Sequence, residues 1–463
     1  MEDFFGYHSE WNLGSPGGWD YQRTTQIIGK EVWIKLNEIQ PIGVDLDMDH
    51  PLFFPLNSFT EMLVQVHKTL AGNNPGLIAV VAEEETLESV TENRNLAEQL
   101  SSIEGITGVL MAPQELELKD SKVSWRGRPV SVLFVDFNTD VLVSLHHKHN
   151  LTALLQAVKE NRVINPRGTE PINVKSMFEV ISGPKSDRFH TEIVQRTPWT
   201  RQFHPRRTSG PGGEDIKNLI EWTRSNWENL VLKPERGYSG KGVCVSEMKV
   251  EADEAVNLAL SKENYIVQEK IPLHLWAEDI PVLNPDKKEI TLESYQTDFR
   301  SIIGAQGLFG FLCRFGGVPT NVGSGGGVQP LAVLRSDLSV KEAVDRINDA
   351  ILNIGYNNLL QVIEMQEKMS KDHDFTYLLG PIKIAVRPRL LTSQQLAALE
   401  RYCAALWSDC LTLEKMWLAG ELDEMIRMSE EELKIARMQP WRGGAAIFAS
   451  DGLFNFGTIK EIS

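Results

Sequence analysis

Residues Lys233–Pro234–Glu235–Arg236–Gly237–Tyr238–Ser239–Gly240–Lys241–Gly242 constrain this chain more than any other stretch. They follow a short apolar run, Leu230–Leu232, and precede another, Val243–Val245, so the pattern is strand, glycine loop, strand. Glycine lets the backbone turn sharply and bring its N–H groups against a ligand, because no Cβ intervenes. Lys233 and Lys241 bracket the loop and can neutralise phosphate oxygens. The two common nucleotide loops are excluded, since G-x-x-x-x-G-K-[ST] and the dinucleotide G-x-G-x-x-G both open helices. Here the glycines run into a strand. The expected element is a lid over a nucleotide triphosphate; the bland alternative is an ordinary mobile hairpin.

Further segments follow in order. Tyr265–Ile271 is an apolar strand ending in a polar hinge, Gln268–Glu269. Asp298–Phe299–Arg300, then Phe311–Leu312–Cys313–Arg314, put arginines on strands, and Thr320–Asn321–Val322–Gly323–Ser324–Gly325–Gly326–Gly327 is a glycine turn. This order over residues 230–334 resembles the ATP-grasp superfamily of carboxylate–amine ligases. The likeness is to ligases that add glutamate to a ribosomal protein and to glutathione and glutathionylspermidine synthetases. Upstream, Arg162–Val163–Ile164–Asn165–Pro166 leading to Lys175, and the Thr197–Pro198–Trp199–Thr200 segment, resemble glutathionylspermidine synthetase and its circularly permuted relatives.

The resemblance implies a set of roles. Lys175 and Lys233 hold the α- and β-phosphates, with Glu235, Ser239 and Gly240 in the nucleotide lid. Gln268, Glu269 and Ile271 frame the adenine. Arg300 and Arg314 hold the γ-phosphate and the acyl phosphate, and Asn321 with Gly325 and Gly326 cradles the carboxylate being activated. Asp298 positions Arg300 or helps to bind metal. The structural alternatives are a solvated helix lysine for Lys175, an ordinary ion pair for Arg300 and a snorkelling strand end for Arg314.

ATP and Mg2+ are the implied cofactors, because magnesium bridges phosphates and favours oxygen ligands. The family ends its core with E-x-N, and this chain departs from that pattern. Ile459–Lys460–Glu461–Ile462–Ser463 offers Glu461 without the asparagine, and Trp33–Ile34–Lys35–Leu36–Asn37 offers Asn37 without the glutamate. The departure leaves open a catalytically reduced relative that binds nucleotide as a scaffold or regulator. A phosphotransferase on the same fold is the third reading. The favoured one is an enzyme joining a small-molecule or peptide carboxylate to an amine.

Composition agrees with a multi-unit enzyme. The chain has 463 residues, more than one ordinary core holds. Its net charge of −16 argues against nucleic acid as a main partner. Neither a signal peptide nor a membrane span is apparent, so cytoplasm is the expected compartment. The 4 cysteines are too sparse for a disulfide scaffold, and Cys244 and Cys313 read as small core residues.

The expected class is α/β (α+β): an ATP-grasp fold with an N-terminal α/β domain over 1–195, the core over 196–385 and a C-terminal part over 386–463. In the first part Leu77–Val81, Gly108–Met111 and Val130–Val135 read as strands, and Ser89–Ile103 and Thr152–Glu160 as helices. Val32–Asn37 reads as a strand. Ser209–Gly213 reads as a mobile connection into a helix. Leu391–Arg437 reads as a helical hairpin capped by Thr392 or Ser393 that could also serve a homo-oligomer. Ala445–Lys460 reads as a β-hairpin turning at Ser450–Asp451–Gly452. His146–His147–Lys148–His149 reads as a solvated loop or strand end. Arg201, His204, Arg206 and Arg207 form a basic patch able to attract an anionic substrate.

Overall fold

The computed structural model describes residues 5–456, apart from 73, 238–240, 263, 273–276, 318–319, 321, 323–324 and 378–379. The fold is mixed α+β, and three sheets organise it.

The first is a mixed sheet with a parallel part in the order Ile106–Met111, Gly76–Val81, Arg128–Val135, Val163–Ile164, to which Lys122–Trp125 and Glu117–Lys119 add antiparallel. Gly76–Val81 is apolar almost throughout because both faces are covered. Ile78 and Val80 pack with Leu56, Phe59 and Leu63 of the helix Pro55–Ala71 and with Leu96 of Thr91–Ser101. Leu77, Ala79 and Val81 pack with Leu142 of Thr139–Lys148 and Leu154 of Thr152–Lys159.

The second, here called the lid sheet, is antiparallel: Cys244–Val245, Leu230–Pro234, Tyr265–Glu269, Thr200–Gln202. One face carries Leu230, Leu232, Tyr265 and Val267, which pack with Leu219 and Ile220 of the helix Leu219–Ser225 and Val256 and Ala259 of Ala252–Lys262. The opposite face carries Thr200, Gln202, Lys233 and Gln268.

The third and largest, the central sheet, runs Phe5–Asn12, Ile447–Asn455, Glu289–Gly304, Gly307–Gly316, Gly327–Val328, Lys383–Ile384, with Ala277–Asn284 pairing to Glu289–Gly304. Phe299, Ile303, Phe311 and Cys313 of one face pack in a core with Leu399, Tyr402 and Leu406 of the helix Ser393–Leu418. Thr392 caps that helix through a capping box with Gln395. A second helix, Glu430–Met438, follows it. Among the described residues no helix is long and apolar enough to cross a membrane.

Several expectations are corrected. Val32–Asn37 lies inside the helix Trp19–Ile39; Ile28, Val32 and Leu36 recur every fourth residue and are buried as one stripe. Ser450–Asp451–Gly452 is no turn. Ile447–Asn455 is one continuous strand, paired on one side with Phe5–Asn12 and on the other with Glu289–Gly304. The histidines expected in a loop or strand end form the last turn of Thr139–Lys148 and its cap. Ser209–Gly213 belongs to a tight hairpin, Thr208–Ser209 with Asp215–Ile216.

Candidate active site

The polar face of the lid sheet is where the site begins. Lys233 Nζ donates to Gln268 Oε1 at 2.8 Å and to the Ser9 carbonyl at 3.4 Å. Gln268 Nε2 donates onward to Thr200 Oγ1 at 2.9 Å. Desolvation pulls the Lys233 ammonium down to about 8; the like charge of Lys175 adds to this and Glu10 opposes it. Lys175 lies just before the helix Met177–Ile181, and its backbone N–H donates to the Glu235 carbonyl at 2.9 Å. Its ammonium is 3.1 Å from Glu10 Oε1 and donates to the Gly237 carbonyl at 3.0 Å. Glu10 therefore sits beside both lysines, under the root of the glycine loop.

The central sheet continues this row sideways. Glu10 pairs in register with Asp451, and Asp451 with Arg300, so the three side chains share one face. Arg300 grips Asp451 with two parallel bonds, Nε to Oδ1 at 2.6 Å and Nη2 to Oδ2 at 2.7 Å, and Nη1 donates to the Gly17 carbonyl at 2.9 Å. Arg314 Nη2 donates to Asp451 Oδ2 at 3.0 Å and its Nε to Asp298 Oδ1 at 2.7 Å. Thr320 donates its hydroxyl to Asp298. Burial works against ionising Asp451, yet Arg300 and Arg314 together hold its carboxyl well below the usual range. Burial likewise opposes the Arg314 charge, and Asp298 and Asp451 overcome it and raise its pKa. The result is a ribbon of interleaved cations and acids: Lys175, Glu10, Asp451, Arg300, Arg314, Asp298.

The structure thus brings together Lys175, Lys233, Gln268, Arg300, Arg314 and Asp298. Ile271 is buried against Leu453 and Tyr7 at the hinge end of this face, while Glu269 is exposed and its N–H donates to the Trp199 carbonyl at 2.8 Å. Gly325 takes φ +93° in a turn closed by its N–H on the Val322 carbonyl at 3.0 Å, and the Cα of its neighbour Gly326 lies 3.1 Å from where a Cβ on Gly316 would stand. A side chain at Gly325 would be strained. Ser239, Gly240, Asn321 and Glu461 lie outside the described residues.

Other expected contacts point elsewhere. Glu235 is not bonded to the row; it accepts from Gln202 Nε2 at 3.1 Å, with Arg427 Nη1 3.5 Å away. Asn37 is spent at a helix end: its Nδ2 donates to the Trp33 carbonyl at 2.9 Å and its Oδ1 accepts from Ile42 N–H at 3.1 Å. It is therefore not placed as a metal ligand. The basic patch is also spent internally. Arg206 holds Glu179 at 2.6 Å, Arg207 holds Asp215 at 2.7 Å, and Arg201 donates to the Thr200 carbonyl at 2.7 Å.

Glu10 and Asp451 are the residues that sequence reasoning missed. Each is the one carboxylate of its strand, Phe5–Asn12 or Ile447–Asn455, and that is the signal that could have found them. Glu10 offers a hard oxygen donor of the kind magnesium takes, whereas both Asp451 oxygens already accept from Arg300 and Arg314. Among the described residues no group of three or more His, Cys, Asp or Glu is placed to hold an ion unaided. Such a site fits magnesium only as an ion that keeps water and phosphate oxygens as ligands. The crevice under the glycine loop, lined by Glu10, Lys175, Arg236, Gly237 and Lys241, has a volume of about 20 Å³. That is room for about one water.

No family model matches the chain. No curated protein sequence matches it. Among solved structures, the macrocyclase MdnC bound with precursor peptide MdnA, from Microcystis aeruginosa MRC, aligns at 10% identity and TM-score 0.30, over 63% of this chain and 84% of that one.

Proposed function

We propose that the chain is an ATP-dependent ligase that joins a carboxylate to an amine through an acyl phosphate. The observation that carries this reading is the row itself: basic side chains from the lid sheet, the Lys175 segment and the central sheet line one face, joined by Glu10 and Asp451. The motif order around the glycine loop supports it.

In this reading Lys175 and Lys233 bind the α- and β-phosphates, and the Gln268 hinge with Ile271 and Leu453 orients the base. A substrate carboxylate oxygen attacks the γ-phosphorus and ADP leaves. Arg300 and Arg314 face the negative charge that spreads over the transferring phosphoryl group. The amine nitrogen then attacks the acyl carbon, the C–N bond forms, the nitrogen loses a proton and phosphate departs. The turn at Gly325–Gly326, with Asn321, holds the carboxylate. Glu10 is the residue that would hold magnesium, which when bound would neutralise phosphate oxygens. Closure of the glycine loop keeps water from the acyl phosphate. The carboxylate belongs to a small molecule or a peptide.

Hydroxylamine trapping tests the reading. With ATP, magnesium and a panel of carboxylic acids and acidic peptides, the chain should yield an acyl hydroxamate together with phosphate. Arg300→Gln and Arg314→Gln should each lower the yield by roughly 100-fold or more. The closed crevice and the satisfied arginine pairs favour one rival, a nucleotide-binding scaffold. Tight ATP binding with neither hydroxamate nor phosphate across the panel would establish that rival. A phosphorylated product without hydroxamate would make the chain a phosphotransferase.

A further inference from the structure

A cavity of about 430 Å³ opens at the root of the glycine loop and shares Pro234 and Arg236 with the crevice beside Glu10 and Lys175. Glu235, Arg236, Lys262, Asn264, Tyr265 and Arg427 line it. They come from the loop root, the end of the helix Ala252–Lys262 and the connection between the two C-terminal helices. The size suits a small metabolite.

Its most unusual wall group is Glu235. The residue is 1% exposed, and its Oε1 takes the bond from Gln202 and faces Arg427, whereas its Oε2 has no hydrogen-bond partner. Burial is the main reason its carboxyl is raised to about 7, with Arg427 and Gln202 pulling the other way. A buried carboxylate oxygen without a donor is costly and calls for one. Arg427 stands at the mouth with its guanidinium also on Asn264 Oδ1 at 3.2 Å. Its side chain is 30% exposed, so it can meet an incoming anion. Lys262 adds a second cation to the same wall. A ligand that satisfies these groups carries an ammonium for Glu235 and, a few bonds away, a carboxylate for Arg427 and Lys262.

We propose that this cavity binds a free α-amino acid as its zwitterion, at a site distinct from the charged row. Pro234–Arg236 forms both the cavity wall and the continuation of the strand bearing Lys233, so occupancy steadies the root of the glycine loop. The inference stands whether or not the ligase reading holds, because binding needs neither ATP nor turnover.

Calorimetric titration of the full chain tests it, with the proteinogenic L-amino acids added singly without nucleotide. The expected result is saturable binding of at least one of them. Its N-acetyl derivative and its carboxamide should each bind at least tenfold more weakly, because each removes one charge. Glu235→Gln should weaken binding about tenfold or more, and Arg427→Gln similarly. Arg427 is partly exposed, which keeps the test open should the Glu235 variant fail to fold. Arg300→Gln should leave amino-acid affinity unchanged, which separates this cavity from the charged row. Three results would each overturn the proposal: no amino acid binds, the blocked derivatives bind as tightly as the parent, or Arg300→Gln abolishes binding while Arg427→Gln spares it.

Discussion

Lys233 is the residue whose charge is most finely poised. Desolvation lowers its pKa from 10.5 to about 8. Between those values the unfolded chain holds a proton that the native site has released, so this group's effect is to make stability rise with pH over that window. In the proposed ligase, phosphate binding would behave in the opposite way, because the ammonium that would meet the phosphates is lost above about pH 8. ATP affinity should therefore fall roughly 3–10-fold between pH 7 and pH 9. Lys233→Arg should flatten the profile, and a fluorescence titration across that range checks both. Asp451 makes a different prediction. Replacing it by Asn leaves Arg300 and Arg314 close together over a neutral amide. The expected loss is about 3–5 kcal/mol of folding stability, measured by urea unfolding and partly recovered in Asp451→Asn/Arg314→Met.

Elements were legible where the chemistry is local. The glycine loop, the hinge and the two arginine strands each sit within a few consecutive residues, and a pattern of that length shows itself in sequence. The strand read at Val32–Asn37 failed because a short run containing β-branched residues fits either period. Only the longer stripe through Ile28, Val32 and Leu36 shows the helix. Asp451–Gly452 imitates a hairpin turn, but neighbours on both sides keep the strand extended. Those neighbours are remote in sequence, as is the pairing of Glu10 with Asp451, and no local window contains it. At this scale two substitutions are informative. Thr392→Ala removes the cap of Ser393–Leu418 and should cost about 1 kcal/mol. Gly452→Ala places a Cβ 2.6 Å from the Phe454 ring and 2.9 Å from the Tyr7 carbonyl, and should cost about 1–3 kcal/mol. Denaturant melts of the two variants measure both losses.

The whole molecule carries a net charge of −16 around a row rich in cations. At about 0.01 M salt the Debye length is roughly 30 Å, and the acidic surface repels a nucleotide at long range; at about 0.15 M it shrinks to roughly 8 Å. Stopped-flow association of ATP should accordingly quicken as salt rises through this range, the reverse of what a basic surface gives. The partners of the row add a further consequence. Lys175 already leans on Glu10, while Arg300 and Arg314 already hold Asp451. A polyanion arriving there trades places with carboxylates the protein supplies itself, so capture is an exchange of counter-anions. At rest the molecule keeps these cations cancelled by its own acids, and an incoming anion has to displace a carboxylate to be held.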